Sequence, residues 1–275
     1  MIIQHNMASA NTNRQLGITT GLLSKSTEKL SSGYRINRAG DDAAGLSISE
    51  KMRGQIRGLD QASTNAQDGI SMIQTAEGAL NETQSILQRM RELTVQASND
   101  TNVTADRKAI AKEITALTSE VNRIASQTEF NTMKLLNGTL SGNLQVGANT
   151  SQMIGFSISA MYASSLDVTF SQVANMISSA KGSAITALVD IVNSAITKVS
   201  TQRSALGALQ NRLEHTIANA DNTSENLQAA ESRIRDVDMA KEMVQYSKNN
   251  ILQQAAQSML AQANQSTQGV LSLLQ

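Results

Sequence analysis

The chain has 275 residues, of which 40% are apolar but only 2% aromatic, and it contains neither Pro nor Cys. Its 23 basic residues balance its 23 acidic residues, so its charge gives no sign of a nucleic acid or an anionic membrane as partner. The lack of Cys excludes disulfides and thiolate metal sites in this sequence, and the lack of Pro together with the few aromatic residues favours long, slender helices.

The first predicted helix is almost without charge. Between Met1 and Leu23 the sole charged residue is Arg14, while Ile3, Met7 and Ala10 mark an apolar helical face. The opening residues do not combine a cationic region with an apolar block, so we expect no cleaved signal peptide. No window approaches the roughly 18 unbroken apolar residues of a membrane span. Composition alone therefore favours a cytoplasmic protein.

The run RINRAGDDAAG follows this helix and contains Asp41 and Asp42. Two adjacent carboxylates can bind a metal, but a calcium loop needs further oxygen ligands at alternate positions and a distal Glu, which are missing here. A helix N-cap before Ala43 explains the pair better, because a carboxylate accepts hydrogen bonds from the free N–H groups of the first turn. The nearby glycines predict a bent connector.

Two long stretches carry heptad patterns typical of coiled coils, and a shorter one lies between them. The first runs through Met52, Ile56, Leu59, Ser63, Ala66, Ile70, Ile73, Glu77, Leu80, Gln84 and Leu87. The second runs through Ile110, Ile114, Leu117, Val121 and Ile124. The third runs through Ile185, Val189, Val192, Ile196, Val199, Arg203, Leu206, Gln210, Leu213, Ile217 and Ala220. Three helices of this kind predict an antiparallel bundle.

The segments between the helices indicate turns and strands. A cluster of turn-forming residues at 98–102 predicts a hairpin between the first two rod helices. Between Phe130 and Phe170 glycines separate short apolar pieces, including Leu144 to Val146 and Ile154 to Ile158, which predicts a small β-hairpin region. The path of residues 161–181 follows no pattern. The predicted fold class is therefore all-α dominated, an antiparallel coiled-coil-like bundle with a small β-hairpin region in the middle of the chain.

The C-terminal end resembles the N-terminal end in its chemistry. From Asn249 to Gln275 there is no charged residue, yet an apolar helical face is present. Such a helix is poorly solvated, so we expect it to bury itself against copies of the same protein, although folding onto its own bundle remains the alternative. The candidate assembly residues are Ile3, Met7, Ile251, Leu252, Met259 and Leu260.

Residues that could carry chemistry are few. The two histidines are His5 and His215, and His215 lies beside predicted core positions of the third heptad stretch. The sequence has no zinc-protease, nucleophile-elbow or phosphate-loop motif. We expect no enzyme activity, no cofactor and no metal.

Five segments, spread between residues 29 and 265, closely resemble bacterial flagellin. Two lie in the N-terminal part, KLSSGYRINRAGDDAAGLSISEKMRGQIRGL at 29–59 and QDGISMIQTAEGALNETQSILQRMRELTVQAS at 67–98. Three lie in the C-terminal part, LGALQNRLEHTIAN at 206–219, AAESRIRDVDMAKEM at 229–243 and NNILQQAAQSMLAQANQ at 249–265.

The resemblance implies a division of the chain and a location. Residues 1–44 and 231–275 would form inner helical segments with their spokes, 45–182 the outer rod domain with two helices and a β region, and 183–230 the C-terminal rod helix. The chain would be a short form with little or no outer variable domain. It would be extracellular, in the bacterial flagellum, and exported without a cleaved signal peptide.

The resemblance also implies partners. They are many copies of the chain itself, a flagellar export chaperone, a filament cap and a host flagellin-sensing Toll-like receptor, with no nucleic acid and no membrane. Leu87, Arg89 and Glu113 match the positions that the family uses for receptor contact. A hook–filament junction protein and a secreted coiled-coil adhesin remain alternative functions.

Overall fold

The computed structural model describes residues 6–169, 171–179 and 182–272. Its helices are α1 (Met7–Ser32), α2 (Ala43–Ser98), α3 (Thr104–Gln127), α4 (Ala174–Ser179), α5 (Gly182–Arg235) and α6 (Met239–Ser272). Its strands are β1 (Glu129–Phe130), β2 (Met133–Lys134), β3 (Ser141–Gln145) and β4 (Met153–Ser157). The predicted helix-dominated fold with a small β region is confirmed.

The chain divides into two compact units. The terminal unit comprises Met1–Gly54 and Glu225–Gln275, and the central unit comprises Gln55–Ser224. Each unit is described by itself below.

The central unit is built around the predicted heptad seams. Every heptad position of 56–87 and 185–220 is buried or half-buried, so the predicted core faces are confirmed. Hydrogen bonds fix the antiparallel direction of the long helices: Ser224 donates to Asp60 near one end, and Arg203 donates to Gln84 further along. The turn at 99–103 reverses the chain between α2 and α3 as predicted, and there the Arg107 Nε donates to the Ala97 carbonyl.

Polar residues at heptad core positions meet in one layer of the central unit. The Arg203 guanidinium donates to the Gln84 side chain and lies 3.5 Å from a carboxylate oxygen of Glu77. Its Nε is buried and has no hydrogen-bond partner. A polar layer of this kind costs stability but disfavours other registers of the helices, because a shift would place these groups against apolar side chains.

The predicted β region consists of two separate antiparallel pairs. The pair β3–β4 aligns Leu144 with Ile154, as expected from the two apolar pieces. The pair β1–β2 was not predicted, since its two turn residues, Asn131 and Thr132, both have positive φ without a glycine to signal the turn.

The β3–β4 hairpin contacts α2 at positions where α2 carries glycine. A Cβ built on Gly58 would lie 2.8 Å from the Ala148 Cβ and 3.1 Å from its Cα. A Cβ built on Gly69 would lie 2.5 Å from the Leu144 Cδ1. The Asn65 side chain donates to the Gln145 carbonyl at 3.2 Å. The close approach of the hairpin therefore requires small residues on this face of α2.

The described part of 161–181, whose path the sequence did not predict, packs into the core. Leu166, Val168, Val173 and Ile177 are buried there. The Lys198 ammonium donates to the Asp167 carboxylate at 2.7 Å and to the Ser165 carbonyl at 3.1 Å. This segment therefore extends the apolar core instead of forming a separate domain.

The terminal unit pairs α1 with α6 in antiparallel orientation. The Asn6 side chain donates to the Ala263 carbonyl at 3.0 Å, and further along α1 Thr20 accepts from the Gln253 side chain at 3.5 Å. Asn6 also caps α1 by accepting from the Ser9 N–H. The two chain ends, far apart in sequence, thus form one helix pair.

Backbone hydrogen bonds join the segment after α1, Gly33 to Arg35, to the segment before α6, Arg235 to Val237. We refer to this connection as the clasp. Gly33 ends α1 with a φ of 74°, in the left-handed region that favours glycine. The Arg35 N–H donates to the Arg235 carbonyl, and the Val237 N–H donates to the Gly33 carbonyl. The Arg235 guanidinium lies 4.5 Å from the centroid of the Tyr34 ring, a cation–π contact. The clasp ties the N-terminal chain to the C-terminal chain.

The Asp41–Asp42 pair serves backbone capping, as predicted. The Asp42 carboxylate accepts from the Gly45 N–H at 2.8 Å at the start of α2. The Asp41 carboxylate accepts from the Arg38 and Asn37 N–H groups, which lowers its pKa below the ordinary value. Since a lowered folded pKa favours the charged form, the contribution of Asp41 is present above its unfolded pKa and is lost as pH falls through its folded pKa.

Replacing Gly58 with Ala should destabilise the central unit, because the new Cβ meets the backbone of Ala148. We expect the free energy of unfolding to fall by about 1–3 kcal/mol, as for an overpacked core. Gly78→Ala in the same helix is the matched control, since nothing lies within 4 Å of its built Cβ. That change should raise stability by roughly 0.5–1 kcal/mol. Chemical denaturation checks both, and equal effects of the two changes would contradict the close contact.

Replacing Asp42 with Ala should weaken the first turn of α2, because the Gly45 N–H loses its acceptor. The expected cost is about 1 kcal/mol, measured by hydrogen exchange at the start of α2 and by denaturation. Asp42→Asn keeps a side-chain oxygen at the cap and should retain most of the protection. If Asn behaved like Ala, the capping role would be wrong.

Candidate self-association surface

The terminal unit buries very little apolar surface of its own. Of all the buried apolar side chains in the described part of the chain, only Ile36 belongs to this unit, and the others lie in the central unit. A pair of helices can cover only one face of each, so the remaining apolar side chains face solvent.

Exposed apolar side chains are concentrated in the same unit. Fifteen large apolar side chains are exposed among the described residues, and eleven of them belong to the terminal unit. They are Met7, Ile18, Leu22, Tyr34, Ile48, Met239, Met243, Val244, Ile251, Leu252 and Met259. The smaller of the two units thus carries most of the exposed large apolar side chains, which marks it as an interaction surface.

The exposed apolar residues of α6 lie on a face that α1 does not cover. Ile251 is 66% exposed and Met259 is 64% exposed, while Asn249 in the same helix is buried. Leu252 and Met259 are two helical turns apart, so they share one face of α6 with Ile251 beside them. One face of the helix pairs with α1 and another presents apolar side chains to solvent.

The candidate assembly residues can now be placed. Met7, Ile251, Leu252 and Met259 are exposed, and Leu260 is half-buried. Ile3 lies outside the described residues. Sequence reasoning missed Ile18, Leu22 and Val244, although for Ile18 and Leu22 the apolar character in a charge-poor helix was a usable signal.

Within residues 7–23 and 249–272 the surface presents few charges that would oppose burial. Within α1, Arg14 donates to the neighbouring Asn11 side chain at 3.1 Å. Within α6, residues 249–272 contain only uncharged side chains. Contact with another apolar surface would therefore remove from water few groups that carry a large desolvation cost.

The predicted receptor residues lie in the central unit. Arg89 is exposed and donates to the Glu113 carboxylate at 2.9 and 3.1 Å and to Glu92 at 3.1 Å. These hydrogen bonds, with Glu113 the larger cause, hold the pKa of Arg89 above its ordinary value, so the side chain stays cationic. The Arg89–Glu113 ion pair thus joins α2 to α3 and presents charged groups at the surface.

Leu87 requires a correction to the predicted contact set. Its side chain is 0% exposed and lies in the core of the central unit, so it offers no surface to a partner in this fold. Its place in the heptad pattern had already predicted burial. Only Arg89 and Glu113 of the three remain available for direct contact.

The described residues contain no cluster of three or more metal-ligating side chains. None of the described helices combines the length and apolar character needed to cross a membrane. A groove of about 520 Å³ beside α1 and the start of α6 is lined by cations and anions together, among them Lys25, Lys29, Asp236 and Asp238. Its charges partly offset each other, so it presents no single-sign site.

Comparison with known proteins gives matches along most of the chain. Residues 3–141 match the family model of the bacterial flagellin N-terminal helical region, and residues 189–274 match that of the C-terminal helical region. A flagellin of Halalkalibacterium halodurans is 57% identical over 275 residues, which is all of both chains. A flagellin of Bacillus subtilis is 52% identical over 303 aligned residues, again covering all of both chains.

A solved structure shares the fold at low identity. A putative flagellar hook-associated protein from Vibrio parahaemolyticus matches with a TM-score of 0.61 at 10% identity. The match covers 71% of this chain and 100% of that protein. At this identity the likeness concerns the fold alone.

Proposed function

The chain belongs to the bacterial flagellin family, and from this membership we propose that the exposed apolar surface of its terminal unit carries the subunit contacts of a flagellar filament. As a flagellin it is a structural subunit of the filament, extracellular, and active in motility. It forms a homo-oligomer of many copies. The role is mechanical and requires no catalytic residue.

The single observation that carries the proposal is the unequal distribution of buried and exposed apolar side chains between the two units. The central unit buries nearly all the apolar core, whereas the terminal unit holds eleven of the fifteen exposed large apolar side chains among the described residues. Burying a side chain of this size contributes about 1.5–3 kcal/mol. Several such side chains per subunit supply enough free energy for stable association, and copies of the same chain offer the complementary surface.

The proposal also assigns a separate role to each of the domains expected from the sequence. We propose that residues 1–44 and 231–275 form the inner, filament-core part, and that 45–182 and 183–230 form the outer rod. This assignment is supported by the nearly closed apolar core of the central unit, which leaves it few exposed apolar side chains for a filament core.

The finer partners and the export route are part of the proposal. We propose export without a cleaved signal peptide, with an export chaperone that covers the apolar surface before assembly and a filament cap at which subunits add. The motive for a chaperone is the same exposed surface, since an uncovered patch of this size favours aggregation.

The specific alternative is a hook–filament junction protein, and the likeness to a hook-associated structure favours it only at the level of the fold. The full-length identity of 57% to a flagellin favours the filament subunit. A secreted adhesin would need a binding surface outside the terminal unit.

Replacing Ile251 and Leu252 together with Gln should block polymerisation, because both exposed apolar side chains are lost from the proposed interface. The expected rise in the critical concentration for filament growth is on the order of 100-fold. Seeded growth followed by light scattering and electron microscopy measures it. Removal of residues 249–275 should abolish growth altogether.

The matched control replaces Val95 and Val103 with Gln. These side chains are similarly exposed, at 51% and 61%, but belong to the central unit. The control should polymerise like the unchanged protein, and circular dichroism should show equal helix content in all variants. Equal loss of growth in both double variants would count against the terminal unit as the assembly surface.

A second proposal concerns a host flagellin-sensing Toll-like receptor, whose contact on this chain would use the Arg89–Glu113 pair. Replacing Arg89 with Ala should weaken receptor binding by roughly tenfold, the effect of losing one charge-assisted contact. Arg123→Ala is the control, since Arg123 forms a similarly exposed pair with Glu120. The affinity of the Arg89→Ala and Arg123→Ala variants for the surface-bound receptor is measured. Unchanged affinity after Arg89→Ala would reject the receptor contact.

A further inference from the structure

Methionine is the redox-sensitive residue type of this protein, because the sequence contains no Cys. Among the described methionines, Met52 is half-buried, and most of the others fall into two contrasting groups. Met72, Met90 and Met161 are buried in the central unit. Met7, Met133, Met153, Met239, Met243 and Met259 are exposed. A peroxide in the medium can reach the second group far more readily than the first.

Two of the exposed methionines differ from the others in their surroundings. Met7 is 72% exposed and Met259 is 64% exposed, the highest values among the exposed methionines. Both lie in the charge-poor ends of the chain, Met7 as the first residue of α1 and Met259 within α6. Met259 shares its helix face with Leu252, and Met7 lies on the same face of α1 as Ile18.

We propose that Met7 and Met259 form a redox-modification site that controls self-assembly. Oxidation of their thioethers by a peroxide in the free subunit prevents association, and association in turn protects them from oxidation. The inference rests on the proposed function, since it requires the terminal unit to be the contact surface.

The reaction balances without any group beyond the peroxide. One peroxide oxygen is transferred to the methionine sulfur, so that an S–O bond forms and the O–O bond breaks. The sulfur is oxidised by two electrons, and with hydrogen peroxide the other oxygen leaves as water. Methionine sulfoxide reductases can convert the product, methionine sulfoxide, back to methionine.

The sulfoxide changes the chemistry of the contact surface. A thioether is apolar and adapts to irregular packing, whereas a sulfoxide oxygen is a strong hydrogen-bond acceptor. Burying such an acceptor against apolar side chains without a donor is unfavourable. The cost applies only in the assembled state, because in the free subunit both side chains contact water. We therefore expect the critical concentration for growth to rise about tenfold for each oxidised position.

The experiment compares the unchanged protein with two double variants of the full chain. Met7→Leu with Met259→Leu keeps the apolar volume but cannot form a sulfoxide. Met133→Leu with Met153→Leu is the matched control, because those methionines are 45% and 50% exposed but lie in the central unit. Monomers are treated with hydrogen peroxide, the peroxide is removed, and seeded growth gives the critical concentration. Peptide mass spectrometry reports which methionines gained oxygen.

The expected pattern separates the two variants. Peroxide should suppress growth of the unchanged protein and of the Met133/Met153 variant but have a much smaller effect on the Met7/Met259 variant, in which only Met239 and Met243 remain as exposed methionines of the terminal unit. Treatment with methionine sulfoxide reductases and a dithiol, which supplies the two electrons and is oxidised to a disulfide as the sulfoxide oxygen leaves as water, should restore growth. Assembled filaments exposed to the same peroxide should show less oxygen at Met7 and Met259 than free monomers do.

Two outcomes would overturn the inference, and they differ from failure of the proposed function. If untreated protein forms filaments and peroxide leaves growth unchanged despite oxidation at Met7 and Met259, the inference alone is wrong. The same holds if the Met7/Met259 variant loses growth as the unchanged protein does. If untreated protein forms no filaments, the proposed function fails and the inference fails with it.

Discussion

A pair of helices can bury only one face of each partner, and this geometric limit governs the whole terminal unit. In α1 and α6 the facing sides hold each other through contacts such as Asn6 with Ala263, while the remaining apolar side chains have no partner within the described chain. A globular protein would cover them with a third layer. We propose that a second copy of the chain supplies that layer, so that the exposed apolar surface of one subunit contacts the next.

The central unit satisfies the opposite requirement. Its three helices, the β3–β4 hairpin and the segment around α4 enclose a continuous apolar core, so little apolar surface is left to compete with the terminal unit for contacts. Two devices keep that core in one arrangement. The Arg203–Glu77–Gln84 layer disfavours other helix registers, and the glycines at 58 and 69 fix where the hairpin lies on α2. A well-packed central unit thereby accompanies a terminal unit that exposes most of the large apolar side chains.

Periodicity predicted the long helices and their buried faces, because burial along a helix repeats at a spacing visible in one sequence. The carboxylate pair before Ala43 predicted the cap that Asp42 forms. The β1–β2 pair and α4 escaped prediction, since a two-residue turn without glycine and a six-residue helix leave no periodic signal. For Leu87, the heptad pattern and the family resemblance gave different predictions. Its heptad position predicted burial and its resemblance predicted contact, and the structure supports the heptad. The exposed apolar set was only partly predicted, because exposure depends on how many helices pack together.

The clasp near Gly33 and Arg235 affects the order in which the two units of the chain can fold. Its hydrogen bonds join the Arg35 N–H to the Arg235 carbonyl, two hundred residues further along the chain. When the chain emerges with its N-terminus first, α1 therefore appears long before α6, the helix against which it packs. The helices of the central unit can complete their contacts once residue 224 has emerged, whereas the terminal pair must wait for the last fifty or so residues. The terminal helix pair, which we propose as the contact surface, is thus the last part of the subunit to form, after the central unit has taken shape.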